Sequence, residues 1–292
     1  MNETPNYEAR LYLNGFPKAG THLLAMLCHA CFAPLEGVQD EAHPAFAAGW
    51  SGTYTKHSFS SERVPLEWTT YQISRLRHGT YLKAHAGWSK ELAEFLRLTG
   101  TAHVFVYRDL RDVAVSQTFH ILNDGNAFKH SDKERYRALG GFDEILSAVI
   151  MGLDDEYRGL VARWEEYAPW LDDDDTLALR FEDLRYDPAP CCEQILSYAY
   201  ARAPQIYGVE RDFVVGSIQQ YVDAMVEMAT HRESSPTFRK GESGGWVEHF
   251  KSRHHYQFDQ TGGQRWLRKL GYTEQDDVEA RPKIRVKDLP IL

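Results

Sequence analysis

Residues 10–24 read RLYLNGFPKAGTHLL, an apolar run followed by a short turn and the start of a helical pattern. The apolar run Arg10–Phe16 predicts a β-strand, and the periodicity of His22–Phe32 predicts a helix. Gly15 and Gly20 bracket the turn between them. Free backbone N–H groups point outward where a helix begins after such a turn, and they bind anions. The stretch therefore predicts an anion-binding loop at the edge of an α/β sheet.

The alternation of short apolar runs with longer helical patterns continues along the chain. It is typical of βαβ units and predicts an α/β fold of three layers, with a mostly parallel central sheet and helices on both faces. The further predicted strands are Thr80–Ala84, His103–Tyr107 and Thr176–Phe181. The further predicted helices are Trp88–Leu98, Leu110–Leu122, Phe142–Gly152, Glu156–Tyr167, Ala189–Ala201 and Arg211–Thr230.

The length and composition bound the kind of protein. The 292 residues contain no internal repeat or low-complexity linker, so we expect a single domain over 1–292, with a core at about 10–272 and a charged tail at 273–292. A net charge of −9, spread along the chain, argues against nucleic acid as the partner. The longest apolar stretch, Leu23–Ala33, is about half of the ~20 residues that a membrane helix needs. Without a visible signal peptide at the start, we expect a cytoplasmic protein.

The cysteines and the paired histidines carry no metal signature. Cys28 and Cys31 lie three apart inside an apolar run, and Cys191 and Cys192 are neighbours. Buried structural roles are favoured over a redox pair or half of a zinc site. The pair His254–His255 lacks a third ligand at suitable spacing. No metal site is predicted.

The side chains of the anion loop decide which anion it suits. Lys18 adds a positive charge within the turn, and Thr21 adds a hydroxyl at the start of the helix. In ordinary nucleotide triphosphatases, a lysine follows the second glycine directly and the next residue holds magnesium through its hydroxyl. Here Thr21 and His22 occupy those two positions. The loop can bind phosphate but lacks the magnesium hydroxyl, and by this motif alone a plain βα turn with an exposed lysine is an equal alternative.

Further polar residues follow other predicted strands. Arg108 comes directly after His103–Tyr107, at the edge where ligands bind in open α/β sheets, and Ser116 lies about two turns into the next helix. Lys83 and His85 end another strand and, being two residues apart, point to the same face. A later loop contains Arg239, Lys240 and Gly241.

These segments together resemble the cytosolic sulfotransferase family, and they occur in the family's order over about residues 11–272. The resemblance implies a P-loop nucleotide-binding fold. It also implies that the donor is PAPS (3′-phosphoadenosine 5′-phosphosulfate) and that no metal is required. The matching segments are Phe16–Thr21 for the 5′-phosphosulfate loop, Leu82–His85 for the catalytic histidine, Arg108–Ser116 for the 3′-phosphate motif, and the later segments Phe181–Leu184 and Arg239–Gly241 with Trp246.

The resemblance also implies roles for individual residues. His85 would be the general base, Lys18 would neutralise charge on the leaving oxygen, and Lys83 would bind the sulfuryl oxygens or the acceptor. His22 replaces a threonine or serine and could carry a proton or position the donor. We expect the positive end of the helix dipole to lower its pKa and leave it the positioning role. The donor would contact Lys18, Ala19, Gly20, Thr21, His22, Leu23, Arg108, Ser116, Phe181, Arg239, Lys240 and Gly241.

Two other functions remain as alternatives to a sulfotransferase. One is a P-loop kinase acting on a small molecule, with Asp109 as a magnesium ligand, and the other is a non-catalytic domain that binds adenosine bisphosphate. Retention of Lys18 and His85 favours the enzyme. The expected acceptor is a small molecule, most simply a hydroxyl compound. The sequence leaves its identity open, along with the choice between monomer and homodimer.

Overall fold

The computed structural model describes residues 9–35, 66–123, 131–202, 218–228 and 242–272. The predicted donor-binding residues Arg239, Lys240 and Gly241 lie outside the described residues, as does the predicted charged tail at 273–292. The prediction of one domain over the whole chain stays a prediction. No helix within the described ranges is long and apolar enough to cross a membrane.

A parallel sheet organises the described residues. Its strands run in the order β2-β3-β1-β4-β5, and every adjacent pair is parallel. The prediction of a parallel α/β sheet is therefore confirmed. The strands are β1 Arg10–Gly15, β2 Ala33–Pro34, β3 Thr80–Ala84, β4 Ala102–Tyr107 and β5 Thr176–Arg180.

Helices connect and flank these strands. In the described ranges, 3₁₀ helices of four residues each cover Ala168–Leu171 and Gly245–Glu248. The α-helices are α1 Thr21–Cys28, α2 Leu66–Ser74, α3 Lys90–Leu98, α4 Leu110–Leu122, α5 Ser131–Arg137, α6 Phe142–Met151, α7 Leu160–Trp164, α8 Phe181–Tyr186, α9 Pro188–Arg202, α10 Ile218–Met228, α11 Ser252–Gln260 and α12 Gly263–Lys269.

The strands separate two hydrophobic cores. Successive strand side chains point to opposite faces of a sheet. In β4, accordingly, Val104 and Val106 pack into one core with α1, α9 and α10, whereas Phe105 and Tyr107 pack into the other with α4, α6 and α7. The predicted three-layer arrangement is confirmed by these two cores.

Several predicted boundaries are wrong. Phe181 begins α8 and does not end β5. The helix predicted to reach Phe32 ends at Cys28. The helix predicted over Glu156–Tyr167 is confined to α7, because Gly152 and Arg158 form an isolated β-bridge just before it. A Cβ atom on the preceding residue, Gly159, would lie 2.5 Å from the Ile150 carbonyl oxygen, so this close crossing sets the start of the helix.

The strand order places one crevice at the carboxyl edge of the sheet. After β1 the chain continues to β2 and β3, which lie on one side of β1 in the sheet. The next strand, β4, lies on the other side of β1. Ligands bind where the connections of an open α/β sheet diverge in this way. The loop after β1 and Arg108 after β4 both lie at this edge.

Candidate active site

The loop between β1 and α1 has a strained backbone. Lys18 has φ 72°, the one positive φ of a non-glycine residue in the described part of the chain, and Gly20 has φ 113°. The Ala19 N–H donates to the Phe16 carbonyl oxygen at 2.9 Å, which closes the turn. A lysine held in the left-handed region costs free energy, and such strain is concentrated at binding sites.

The same loop leaves polar groups available for a ligand. Thr21 Oγ1 is buried and has no hydrogen-bond partner among the residues that the structure describes. Gly20 lies directly against the Phe181 ring, and any side chain at this position would collide with that ring. The loop leads into the start of α1, where free backbone N–H groups favour an anion.

Buried cations surround this loop. Burial lowers the pKa of Lys83 to about 8. Burial, with the positive charges of Lys133 and Arg108, lowers the pKa of Lys18 to about 8. Lys133 is only 3% exposed and lies on α5, a helix that the sequence analysis did not predict. No motif pointed to it, because its position depends on how α5 packs. A cluster of like charges in a low-dielectric region suits a bound anion.

His85 is held in one tautomer by the loop. Its Nδ1 lies 2.5 Å from the Gly15 carbonyl oxygen. Because a carbonyl only accepts, Nδ1 must carry the proton, which leaves Nε2 with a lone pair. The pKa of His85 is lowered to about 4, mainly by burial and in smaller part by the charges of Lys18 and Lys83, while the Gly15 hydrogen bond raises it. His85 is therefore neutral at pH 7.

Asn14, a residue that the sequence analysis did not single out, joins the two strand ends. Its Oδ1 accepts hydrogen bonds from the backbone N–H of Gly15 at 2.9 Å and of Ala86 at 2.8 Å. Its Nδ2 donates to the Ala86 carbonyl oxygen at 2.9 Å. The side chain thus pins the segment that carries His85 to the end of β1. An amide inside an otherwise apolar strand was the signal that could have revealed it.

His22 stands at the second position of α1, half-buried. Its pKa is lowered well below the usual value by burial and by the charges of Lys83, Lys18 and His85. The predicted direction is right, but burial and neighbouring charges account for it, whereas the prediction named the helix dipole. His22 therefore lies in the same cluster as Lys18, Lys83 and His85.

Arg108 lies across the crevice from this cluster. Its guanidinium stacks 4.2 Å above the Phe181 ring, and Nη2 donates to the Glu242 carbonyl oxygen at 2.7 Å. Arg108 Nε is buried without a hydrogen-bond partner in the described ranges. The guanidinium is thus fixed on one side and keeps a donor for a ligand on the other.

The remaining predicted donor-binding residues differ in exposure. Ser116 is half-buried in the second turn of α4. The side chain of Ala19 is buried in the core beside α4, and that of Leu23 packs on the opposite core. Side-chain contacts of Ala19 and Leu23 therefore belong to the protein interior, and their backbone is what they offer to a ligand.

Asp109, the residue that would bind magnesium in a kinase, already accepts hydrogen bonds within the protein. Asp109 is buried and caps α4, and its two oxygens accept hydrogen bonds from the Arg111 backbone at 2.8 Å and from its guanidinium at 2.6 to 3.1 Å. In the described residues, no group of three or more His, Cys, Asp or Glu is placed to hold a metal ion. The four cysteines are buried and unbonded to one another, and burial raises the pKa of Cys31 to about 12. This burial fits the predicted structural role.

Comparisons with known proteins show a family and a fold for this chain. The sulfotransferase domain family matches residues 9–271. A search of curated proteins gives no match. The crystal structure of mouse sulfotransferase SULT7A1 complexed with PAP is similar, with a TM-score of 0.52 and 16% identity over 91% of this chain and 86% of that chain. A retinol dehydratase in complex with androsterone and inactive cofactor PAP has a TM-score of 0.48 and 15% identity over 96% of this chain and 84% of that chain.

The family match and the fold lead to the same assignment. The first of the solved structures supports the predicted fold. The matched residues include all five segments on which the sequence resemblance rests. They also span the strained loop, His85 and Arg108. The chain therefore belongs to the sulfotransferase family.

Proposed function

We propose that this enzyme transfers the sulfuryl group of PAPS to a hydroxyl group of a small molecule, with His85 as the general base. The observation that carries the proposal is the hydrogen bond from His85 Nδ1 to the Gly15 carbonyl oxygen. It puts the proton of the neutral ring on Nδ1, so Nε2 is the nitrogen that can accept a proton. A base with a defined tautomer next to an anion-binding loop is what acceptor activation requires.

The described residues fit the donor. The start of α1 at Gly20 and the buried hydroxyl of Thr21 suit a phosphosulfate, and the Nε of Arg108, which has no hydrogen-bond partner in the described ranges, suits the 3′-phosphate. Arg239, Lys240 and Gly241 are proposed to complete the 3′-phosphate site, together with Ser116. PAPS supplies the sulfuryl group and a stable leaving group, and the protein supplies position and countercharge.

The cations near His85 set its protonation. Burial, together with the charges of Lys18 and Lys83, holds the His85 pKa down when no anion is bound. The negative charges of the donor would offset these cations and move the pKa of His85 back toward neutrality. His85 Nε2 then takes the proton of the acceptor hydroxyl, while Lys18 neutralises the charge that grows on the leaving oxygen. Lys83 is proposed to bind the sulfuryl oxygens.

His22 is proposed to hold the donor and not to carry the proton. Its pKa is lowered well below the usual value by burial and by the neighbouring cations, so its ring is neutral. A neutral ring at the start of α1 can donate one hydrogen bond to the phosphosulfate. The family-typical hydroxyl at this position would make a similar contact.

Burial of the base limits the acceptor. His85 and Lys83 are each 7% exposed, so the acceptor must insert its hydroxyl into a recess. A small molecule does this more readily than the surface of a folded protein. This supports a small-molecule acceptor, and its chemical class is proposed no further than a hydroxyl compound.

The test is an acceptor panel with isotopically labelled PAPS, read by mass spectrometry. We expect labelled product with at least one phenol or alcohol, and full activity in the presence of EDTA, because Lys18 supplies the countercharge that magnesium supplies in kinases. Adenosine 3′,5′-bisphosphate (PAP) should raise the melting temperature far more than ATP with magnesium. Equal stabilisation by both nucleotides, or magnesium-dependent transfer from ATP, would instead support the kinase. PAP binding without turnover, over a broad panel, would support a non-catalytic domain.

A further inference from the structure

Asp112 links α4 to the segment that follows Gly241. Its Oδ2 accepts hydrogen bonds from the Gly244 N–H at 2.7 Å and from Ser243 Oγ at 3.2 Å. Its Oδ1 accepts from the Trp246 N–H at 3.0 Å. The residue is 3% exposed, so these charge-assisted bonds form away from water and are correspondingly strong.

The same carboxylate also faces Arg108. Asp112 Oδ2 lies 3.5 Å from Arg108 Nη2, and this nitrogen donates to the Glu242 carbonyl oxygen. Stacking on Phe181 fixes the plane of the guanidinium. Arg108 is thereby oriented from three sides, by α4, by α8 and by the segment beginning at Glu242. Asp112 is the contact from α4, and it also binds the segment that holds Arg108.

A negative charge here needs an explanation. A carboxylate beside a phosphate site repels the ligand and, by charge alone, weakens its binding. Electrostatics alone would therefore favour a neutral residue at position 112. The hydrogen bonds of Asp112 compensate for this weaker binding only if they hold Arg108 and the segment in a geometry that binds the phosphate better.

We propose that Asp112 is a positioning residue for the 3′-phosphate of the donor, acting through Arg108 and through the segment Glu242–Trp246. This inference rests on the proposed donor, PAPS. It predicts that Asp112 governs discrimination between nucleotides with and without a 3′-phosphate. The 5′-phosphate end, held by the loop after β1, should not depend on it.

The experiment uses Asp112→Asn in the full chain, with dissociation constants for PAP and for adenosine 5′-phosphate from calorimetry. These two nucleotides differ only in the 3′-phosphate. Asparagine has one acceptor oxygen, so whichever way its amide turns, one backbone N–H of the segment faces another donor. We expect PAP to bind about tenfold more weakly, and adenosine 5′-phosphate to change by less than about twofold.

Two further variants separate positioning from general loosening. Asp143→Asn is the matched control, because Asp143 also holds the chain after Trp246, but through Lys251 and Arg253 and not through Arg108. It should leave both dissociation constants unchanged. Ser243→Ala removes one hydroxyl, whose single proton lies within reach of Asp112 at 3.2 Å and of Glu182 at 2.8 Å. It should reproduce the loss of selectivity on a smaller scale, even if Asp112→Asn folds poorly.

The outcomes are distinct. Tighter PAP binding by Asp112→Asn would mean that the carboxylate acts only through its charge, and would overturn the proposal. Parallel losses for both nucleotides, or equal losses in Asp143→Asn, would reduce Asp112 to a structural residue. Failure of the unaltered protein to bind PAP would refute the proposed donor and not the positioning role as such.

Discussion

The two halves of the carboxyl edge differ in how their cations are neutralised. On the β4–β5 side, defined by Arg108, Arg111 and Arg180, each arginine has an acidic partner within the protein. The N–O distances are 3.5 Å for Arg108–Asp112, 2.6 Å for Arg111–Asp109 and 3.8 Å for Arg180–Glu182.

On the β1–β3 side, defined by Lys18, His22, Lys83 and His85, the neighbouring charges are positive. Besides burial, which has the largest effect, Lys18 and Lys83 lower the pKa of His85, and Lys133 and Arg108 lower that of Lys18. Buried like charges cost stability unless an anion joins them. On the β4–β5 side, acidic residues of the protein therefore balance the positive charges. On the β1–β3 side, we expect a bound anion to balance them.

The largest effect expected is at the base. His85→Ala should lower kcat by about a hundredfold or more, with PAP affinity nearly unchanged, because a positioned base contributes that range. His22→Ala should weaken PAPS binding and cost less in kcat. The measurement is kcat and KM over pH for both variants. The acidic limb should vanish in His85→Ala and persist in His22→Ala, and the reverse pattern would make His22 the base.

A second comparison separates two arginines of the β4–β5 side. Arg108→Ala should weaken PAP binding about ten- to a hundredfold, since it removes a charge-assisted contact. Arg111→Met should leave PAP affinity within about threefold but lower the free energy of unfolding by about 3 kcal/mol, because Asp109 stays buried without its cation. Calorimetry and urea unfolding measure the two effects. A large loss of PAP affinity in Arg111→Met would show that both arginines face the donor.

The neutral burial of His85 should appear as acid sensitivity. Burial lowers its pKa to about 4 and that of His103, inside the sheet, to about 3. The unfolded chain binds protons below about pH 6.5 and the folded one does not, so stability is complete above that pH and falls as the pH drops toward 4. At pH 5 each histidine should cost up to ~2 kcal/mol. His85→Gln and His103→Gln should each flatten the urea-unfolding profile between pH 7 and 5, and an unchanged slope would contradict their neutral burial.

The smallest expected effect is proton uptake on PAP binding. Lys18 and Lys83, with pKa values of about 8, are partly deprotonated at pH 8.5. A bound anion should raise both pKa values, so that the two amines take up protons. Calorimetry in buffers of different ionisation heat should detect up to about one proton taken up. Lys133→Met should reduce the uptake, because it removes a charge that lowers the Lys18 pKa. Arg135→Met, an exposed cation on the same helix, is the control and should not.

Sequence patterns predicted the sheet and much of the site. Strand and helix patterns follow local periodicity, and the motif residues at strand ends inherit their positions from parallel strands. Accordingly, Lys18, Lys83 and His85 lie together as expected. Predicted boundaries of elements were wrong where contacts outside the element decide them. At Gly159, for example, the close approach to Ile150 makes α7 begin later than predicted.

By itself, the sequence determined the family and the parallel α/β fold, because these depend on residue type and on spacing along the chain, and it supplied the candidates for the reactive groups. Only the tertiary structure decided the tautomer of His85 and the hydrogen bonds of Asn14 to Ala86. It also decided the position of Lys133 near Lys18 and the hydrogen bonds of Asp112 to the segment Glu242–Trp246. Each of these depends on a partner far away in sequence: 70 residues separate His85 from Gly15, and 132 separate Asp112 from Gly244. Local patterns carry no information about such pairs, since packing of the folded chain brings their atoms within hydrogen-bonding distance.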